Sequence, residues 1–313
     1  MTAYVGRRLV YMLITLFVIV ALTFCLMKIL PGTPFDAERY LSLSPARQTA
    51  LLRQYGLDQP VYKQFLQYMR NLLKGDFGIS YFYPDRPVLD VIKSRIGPSA
   101  LVGSQAILMG LFIGMLMGVI AAWRHNGPMD YLTMVVAVLG VSVPNFVVAA
   151  LLQYFVGLKW GILPVAFWKS WVHSVLPSIS LMFSPLASSA RFVRTETLDV
   201  LSQDYIQTAR SKGMSERRML VKHALRNALL PVVTILGPMI ANLLTGSLAI
   251  ESIFSVPGIG SLFVESVRNN DYPVIMGLTI FFSAFYIVCI LLVDISYTLI
   301  DPRIRLSKGN EGD

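Results

Sequence analysis

Six long apolar runs alternate with polar stretches along the chain, at approximately Leu9–Leu30, Ser99–Trp123, Tyr131–Val156, Val175–Ala190, Leu229–Ile250 and Val274–Leu299. A helix needs roughly 20 apolar residues to cross about 30 Å of hydrocarbon, so each run is predicted to be a transmembrane helix. The pattern predicts an all-α polytopic membrane protein with six transmembrane helices. The fourth run is the shortest and carries Pro177 and Pro185. The first run follows Arg7 and Arg8, as a signal peptide would. Its uncharged stretch, Val10–Met27, is long for a signal peptide, and no A-x-A pattern follows it. It is expected to be a retained helix, with Lys28 snorkelling at its outer end.

The polar stretch 31–98 is patterned. Ser44-Pro45 reads as an N-cap and first helical residue, and Gly56 as a stop, which predicts a helix near 45–55. Pro60 opens a second helix that places Val61, Phe65, Leu66, Met69, Leu72 and Leu73 on one face and ends at Gly75. GDFGISYFYPDRP is then turn-rich and aromatic. Pro87–Ile96 reads as an amphipathic helix on the membrane surface. The result is a helical extracytoplasmic cap after the first span, serving either as a packed lid or as a docking surface. After the fifth run, ESIFSVPGIGSLFVESVRNNDYP is apolar for a loop, with Phe254, Leu262, Phe263 and Val264 around a Pro257-Gly258 turn. It is expected to re-enter the membrane surface or to pack on the cap.

Polar residues inside a span are costly and usually face an interior or a water path. The third run carries Ser142, Asn145 and Gln153 beside Pro144; the fifth carries Asn242, Thr245 and Ser247 and ends at Glu251. None is a charge at mid-membrane. Two readings stand: the lining of a path for neutral polar cargo, or helix-to-helix hydrogen bonds. The second run has a small residue at every fourth position, Ala106, Gly110, Gly114, Gly118 and Ala122, which permits close helix approach.

Composition agrees. The chain has 313 residues, 55% hydrophobic and 14% charged, with a mean hydropathy of +0.60. Soluble domains carry about 25% charged residues. A formal charge of +9 would point to nucleic acid in a soluble protein. In a membrane protein it points to cytoplasmic loops instead. With the N-terminus inside, the inner segments hold Arg7, Arg8, Arg124, eight Lys or Arg between Arg191 and Arg226, and Arg303, Arg305 and Lys308. The short outer loops hold only Lys159, Lys169 and Arg268. This bias places both termini in the cytoplasm. Cys25 and Cys289 lie in apolar runs without metal-ligand spacing and read as free buried thiols. No G-x-x-x-x-G-K-[ST] phosphate loop, H-E-x-x-H or G-x-S-x-G is present, and the three histidines are far apart in sequence. An intramembrane enzyme is poorly supported.

The stretch Leu201–Pro231, LSQDYIQTARSKGMSERRMLVKHALRNALLP, is the conspicuous inner loop. Asp204–Lys212 and Ser215–Leu225 each read as a short helix, broken at Gly213-Met214, with Ser215 an N-cap and Glu216 in the first turn. Tyr205, Ile206 and Ala209 are placed on one face. The loop is either a lever that takes force from a cytosolic partner or a solvated basic loop near anionic headgroups.

Here the chain resembles the permease subunits of bacterial ABC importers, whose cytoplasmic signature is E-A-A, three residues, then G. Gln207-Thr208-Ala209 stands in the E-A-A position and Gly213 follows at the family's spacing. Gln207 and Thr208 replace the Glu and first Ala, and Leu230-Pro231 lies about five residues later than the general pattern; both departures are typical of the peptide and nickel branch. GRRL, LPGTPF, YGLDQP, KGDFG, SVPNF, VLPSISL, ESIFSVPGIG, DYPV and DPRIR extend the similarity over nearly the whole chain. Within the branch, PGTPF, YGLDQP and KGDFG look most like the B-type permease of oligopeptide importers.

The resemblance implies a type I ABC-importer permease fold and no catalysis or cofactor in this chain, with ATP and Mg bound by partner subunits. The implied partners are a homologous second permease, two cytosolic ATPase subunits, an extracytoplasmic peptide-binding protein, a peptide and the lipid bilayer, without nucleic acid. It implies a bacterial cell-membrane location. It assigns ATPase coupling to Asp204, Tyr205, Gln207, Thr208, Ala209, Lys212, Gly213, Met214, Ser215, Glu216 and Arg217. The path would use Ser142, Asn145, Gln153, Asn242, Thr245, Ser247 and Glu251, and the binding protein would dock at Asp85, Arg86, Pro257, Gly258 and Asn270. The expected organisation is an N-terminus and first span at 1–30, the cap at 31–98, a five-span core at 99–300 with coupling loop 191–228 and outer loop 251–273, and a tail at 301–313. Alternative cargoes are dipeptides, glutathione or nickel. A different class, an ATP-independent secondary transporter or channel, would need the mid-span carboxylates that the runs lack.

Overall fold

Helices account for nearly all regular structure in the computed structural model, which describes residues 2–29, 40, 42–219, 232–244 and 246–300. One isolated bridge, Ile79 to Pro87, is the exception among the described residues. The chain forms two units: Met1–Ser99 with Pro257–Ile287, and Ala100–Val256 with Val288–Asp313.

The first unit begins with α1, Thr2–Ile29, followed by α2, Pro45–Gln54, and α3, Val61–Leu72. Pro45 opens α2 as expected, although the Ser44 side chain makes no capping bond. Glycine stops both helices. Gly56 takes φ +66° and Gly75 φ +78°. This left-handed turn lets the next amide reach back, Leu57 N–H to Leu52 O at 2.8 Å and Asp76 N–H to Asn71 O at 3.0 Å. The buried side of α3 is narrower than the sequence pattern predicts. Phe65, Tyr68, Met69 and Leu72 pack with Val20, Phe24, Met276 and Ile280. Val61, Leu66 and Leu73 are 50%, 63% and 85% exposed. Leu66 and Leu73 each follow a packed residue by one position, which rotates them about 100° away from the contact.

From Val88 on, the segment Pro87–Ile96 leads directly into the second predicted span: it forms the first turns of α4, Val88–Trp123, a single helix of 36 residues that runs on through Pro98. The stripe Val88, Val91, Ile92, Ser99, Val102 and Ala106 is buried throughout and keeps one helical period, so there is no register change at which to stop. In the first unit this stripe packs on α12, Ile259–Arg268, through Ile259 and Leu262, and on α13, Tyr272–Ile300, through Val274 and Leu278. Of the two expectations for the outer loop, packing on the cap is the one observed.

The second unit is built around α7, Val175–Leu201. Before it come α5, Pro128–Ser142, and α6, Asn145–Leu152, which continues as a π-helical segment, Gln153–Lys159. The expected span Tyr131–Val156 is bent by 98° between Ser142 and Asn145. Pro144 lacks an amide proton and forces Val143 into extended backbone, φ −86° and ψ 120°. After α7 come α8, Asp204–Ser211, α9, Glu216–Met219, α10, Val232–Leu244, and α11, Leu248–Ile253. The core is Val102, Ala106, Ala149, Leu176, Leu181, Ile250, Phe254 and Val256.

Among the described residues, four helices are long and apolar enough to cross a membrane, Gly6–Ile29, Val88–Trp123, Leu236–Ile253 and Tyr272–Val293, and the bent pair makes a fifth if it counts as one span. The remaining expected span coincides with α7. At 27 residues α7 is long enough, but its serines and Arg191 and Arg194 make it less apolar. The reason lies in packing. Ser178, Ser180 and Ser189 are buried, and their hydroxyls bond to backbone carbonyls, Ser178 to Val102 at 3.1 Å and Ser189 to Pro185 at 2.7 Å. A helix enclosed by its neighbours needs little lipid-compatible surface.

Candidate functional site

Two residues separate α7 from α8. Their amides close the end of α7, Ser202 N–H to Leu198 O at 3.1 Å and Gln203 N–H to Val200 O at 3.2 Å. The Gln203 carbonyl in turn accepts the first amide bonds of α8, from Ile206 at 3.0 Å and Gln207 at 3.3 Å. Asp204 lies in the first turn, where a carboxylate favours the helix dipole. Gly213, at φ +77°, ends α8: its amide reaches Arg210 O at 3.0 Å, and that of Met214 reaches Ala209 O at 3.2 Å. The Ala209 carbonyl and the Gly213 amide each make one of the two hydrogen bonds of this stop. Met219 N–H bonds to Ser215 O at 3.0 Å and begins α9.

Ile206 and Met219 are fully buried, while Ala209 and Met214 are half-buried. Asp204, Gln207, Thr208, Lys212, Gly213 and Ser215 are exposed. Tyr205 was expected to share the apolar face of Ile206 but is 45% exposed, because adjacent helical residues point about 100° apart. The side chains of Glu216 and Arg217, and residues 220–231 with Leu230-Pro231 and the rest of the predicted second helix, lie outside the described residues.

On the same unit an ion pair joins α5 to α7. Arg194 Nε lies 2.5 Å from Asp130 Oδ1 and Nη2 lies 2.8 Å from Oδ2, a two-pronged contact. Asn126 N–H donates to Asp130 Oδ2 at 3.0 Å, and His125 Nδ1 is 3.2 Å from the same oxygen. Neither residue of the pair was singled out from the sequence. A lone aspartate in the first turn of an apolar helix is the one available signal, and its partner is 64 residues away.

The candidate path residues are spread over α5, α6 with its π-helical continuation, α10 and α11. Ser142 and Asn145 flank the Pro144 break, exposed and half-buried respectively. Gln153 is a tie rather than a lining group: its amide donates to Val165 O and Ile253 O, both at 3.0 Å. Ser247 caps α11, accepting from Ile250 N–H at 3.4 Å. Glu251 is buried on α11, 1% exposed, and Asn242 is exposed on α10. Thr245 lies outside the described residues.

The candidate docking residues all belong to the first unit, which also holds Asp271, a residue not singled out from the sequence. Asp271 is fully buried. Its carboxylate accepts from the Ser80 hydroxyl, from Tyr81 N–H at 3.0 Å, from Phe82 N–H at 3.4 Å and from Val274 N–H. Burial pushes its pKa up, and the four donors oppose this. It is the N-cap of α13, and Asp-Tyr-Pro before an apolar run is the signal that would have revealed it. Asp271 joins the turn 80–83 to the turn before α13. Asp85 and Asn270, at φ +56° and +52°, lie on these turns. Asp85 and Arg86 are exposed, while Pro257 and Asn270 are half-buried. Gly258 is buried and opens α12, so it offers no surface; Ile259 N–H beside it bonds to Ser99 Oγ at 2.8 Å. Burial and Glu265 push the Tyr83 phenol up to about 12.

Residues 114–306 match the family described as binding-protein-dependent transport system inner membrane component, and residues 1–97 match the N-terminal component of such membrane proteins. The chain is similar to the dipeptide transport system permease protein DppB of Bacillus subtilis (strain 168), 46% identical over 98% of this chain and 99% of the relative. It is similar to the glutathione transport system permease protein GsiC of Escherichia coli (strain K12), at 42% over 97% and 99%. It is also similar to the oligopeptide transport system permease protein OppB of Haemophilus influenzae, at 39% over 97% and 100%.

Proposed function

The chain belongs to the family of binding-protein-dependent transport system inner membrane components, and on that premise we propose that it is the permease subunit of an ATP-driven ABC importer for peptides. The relatives named for dipeptide, glutathione and oligopeptide transport support the cargo class. Oligopeptides remain the proposed cargo, on the sequence features of the cap; dipeptides and glutathione are the competing ones, and nickel the outlier. This chain is the non-catalytic translocation subunit. A homologous second permease completes the path, two cytosolic ATPase subunits bind ATP and Mg, and an extracytoplasmic binding protein delivers the peptide near Asp85, Arg86 and Asn270. The six-span topology, with both termini inside, and the division at residues 30, 98 and 300 belong to the same reading.

The observation that carries it is the helix–glycine stop–helix at 204–219, two residues beyond α7. ATP binding favours the closed ATPase pair. Through α8 that preference is passed to α7, and the path opens outward only if the two states differ in free energy at this contact. The exposed residues Asp204, Gln207, Thr208, Lys212 and Ser215 face the partner, with Glu216 and Arg217 following.

The test is uptake of labelled di-, tri- and pentapeptides by a strain lacking this chain. Loss of tri- and pentapeptide uptake, restored by the wild type and not by Gly213→Pro, is the expected result. Loss of dipeptide uptake alone changes the cargo, and uptake that persists without ATP overturns the importer reading.

A further inference from the structure

The Asp130–Arg194 pair has a place in this machine beyond bracing the fold. We propose that Asp130 and Arg194 are positioning residues that carry displacement of α8 through α7 into the bent pair α5–α6; the inference rests on the coupling role proposed for α8.

Three observations lead there. First, α8 cannot shift freely against α7, because both linking residues are spent on hydrogen bonds to the two helices. Arg194 lies seven positions before the end of α7 at Leu201, about 10 Å along the helix. Second, the two prongs from Arg194 to Asp130, at 2.5 and 2.8 Å, fix direction as well as distance. Asn126 N–H on the same carboxylate extends the grip to the turn before α5. Third, α5 is held on α7 at its other end by close backbone approach: a Cβ on Gly140 would lie 3.2 Å from Phe183 O and 3.5 Å from Ala187 Cβ. The helix is therefore gripped at both ends, and the 98° bend lies just past the second grip. Motion of α7 is delivered to that bend.

An ion pair with one buried and one half-buried member is weak evidence of stability, since apolar residues often replace such pairs without loss; fixing geometry is the use inferred here. Asp130 is 3% exposed, and Ala137 and Gly140 already supply apolar contact on the same face of α5. The charge pair adds orientation.

The complex of this chain with its second permease, ATPases and binding protein, reconstituted in proteoliposomes, provides the test. Asp130→Asn and Arg194→Gln are compared with wild type for peptide transported per ATP hydrolysed and for the ATPase that copurifies. We expect normal copurification and basal hydrolysis, with transport per ATP falling about tenfold. Arg194→Lys keeps the charge without the fork and should fall between; it carries the test if the neutral variants do not assemble. Unchanged transport per ATP in the assembled variants overturns the proposal, as does a loss of transport that only follows loss of assembly. Wild-type chain that never retains an ATPase overturns the importer reading instead.

Discussion

Gly213 sits at φ +77°, where an L side chain crowds the following carbonyl and costs about 1–2 kcal/mol. Among the described residues no other heavy atom lies within 4 Å of a Cβ placed there, so the cost seen there is backbone strain. Asparagine tolerates this region better than alanine. Proline cannot reach it and also removes the amide bonded to Arg210. The expected order of damage is therefore Asn, then Ala, then Pro. Amide exchange at the end of α8 measures it, with Gly213→Ala speeding exchange about tenfold for each 1.4 kcal/mol of local stability lost. Equal exchange in the Asn and Ala variants would show that the turn is not held in this conformation.

At the scale of elements, what the sequence revealed depended on whether the signal was local. The stops at Gly56, Gly75 and Gly213 were legible, because a glycine after an apolar-periodic helix carries its own conformational reason. The break at Pro144 was passed over, because apolar residues continue on both sides of it. Pro98 does not end α4, although proline usually marks a boundary, because the buried stripe runs through it. The Asp130–Arg194 pair was illegible, since no local pattern links residues on two helices. The glycine line of α4 was legible as a close-approach face, and its partner is the α7 backbone. A Cβ on Gly114 would lie 2.4 Å from Leu186 O and 2.1 Å from Ser189 Oγ, whereas one on Gly237 in α10 would meet chiefly the side chain of Val293, at 2.0 Å. Both alanine variants should lower the thermal stability of the purified protein, by about 1–3 kcal/mol each. Val293→Ala should restore most of the Gly237→Ala loss. Ser189→Ala should not restore Gly114→Ala, because the carbonyl remains. Full rescue at both sites would mean that α4 and α7 are not in backbone contact.

For the whole molecule, the distribution of charge fixes an expectation that geometry alone does not supply. Eight Lys or Arg lie between Arg191 and Arg226, against Lys159, Lys169 and Arg268 in the short loops assigned outside. Short loops rich in Lys and Arg are retained in the cytoplasm, so α8 is expected inside and Asp85 and Asn270 outside. The same assignment is required if an ATPase is to reach α8 while a binding protein reaches the turns around Asp271. With Cys25 and Cys289 replaced by serine, no native thiol interferes with labelling. Asp85→Cys and Asn270→Cys should then react with a membrane-impermeant maleimide in intact cells. Arg210→Cys and Lys212→Cys should react only in inverted vesicles. The second pair, on the exposed end of α8, is the decisive one. Labelling of that pair from outside would put the coupling helix on the wrong side for an ATPase, and the importer mechanism would fail with it.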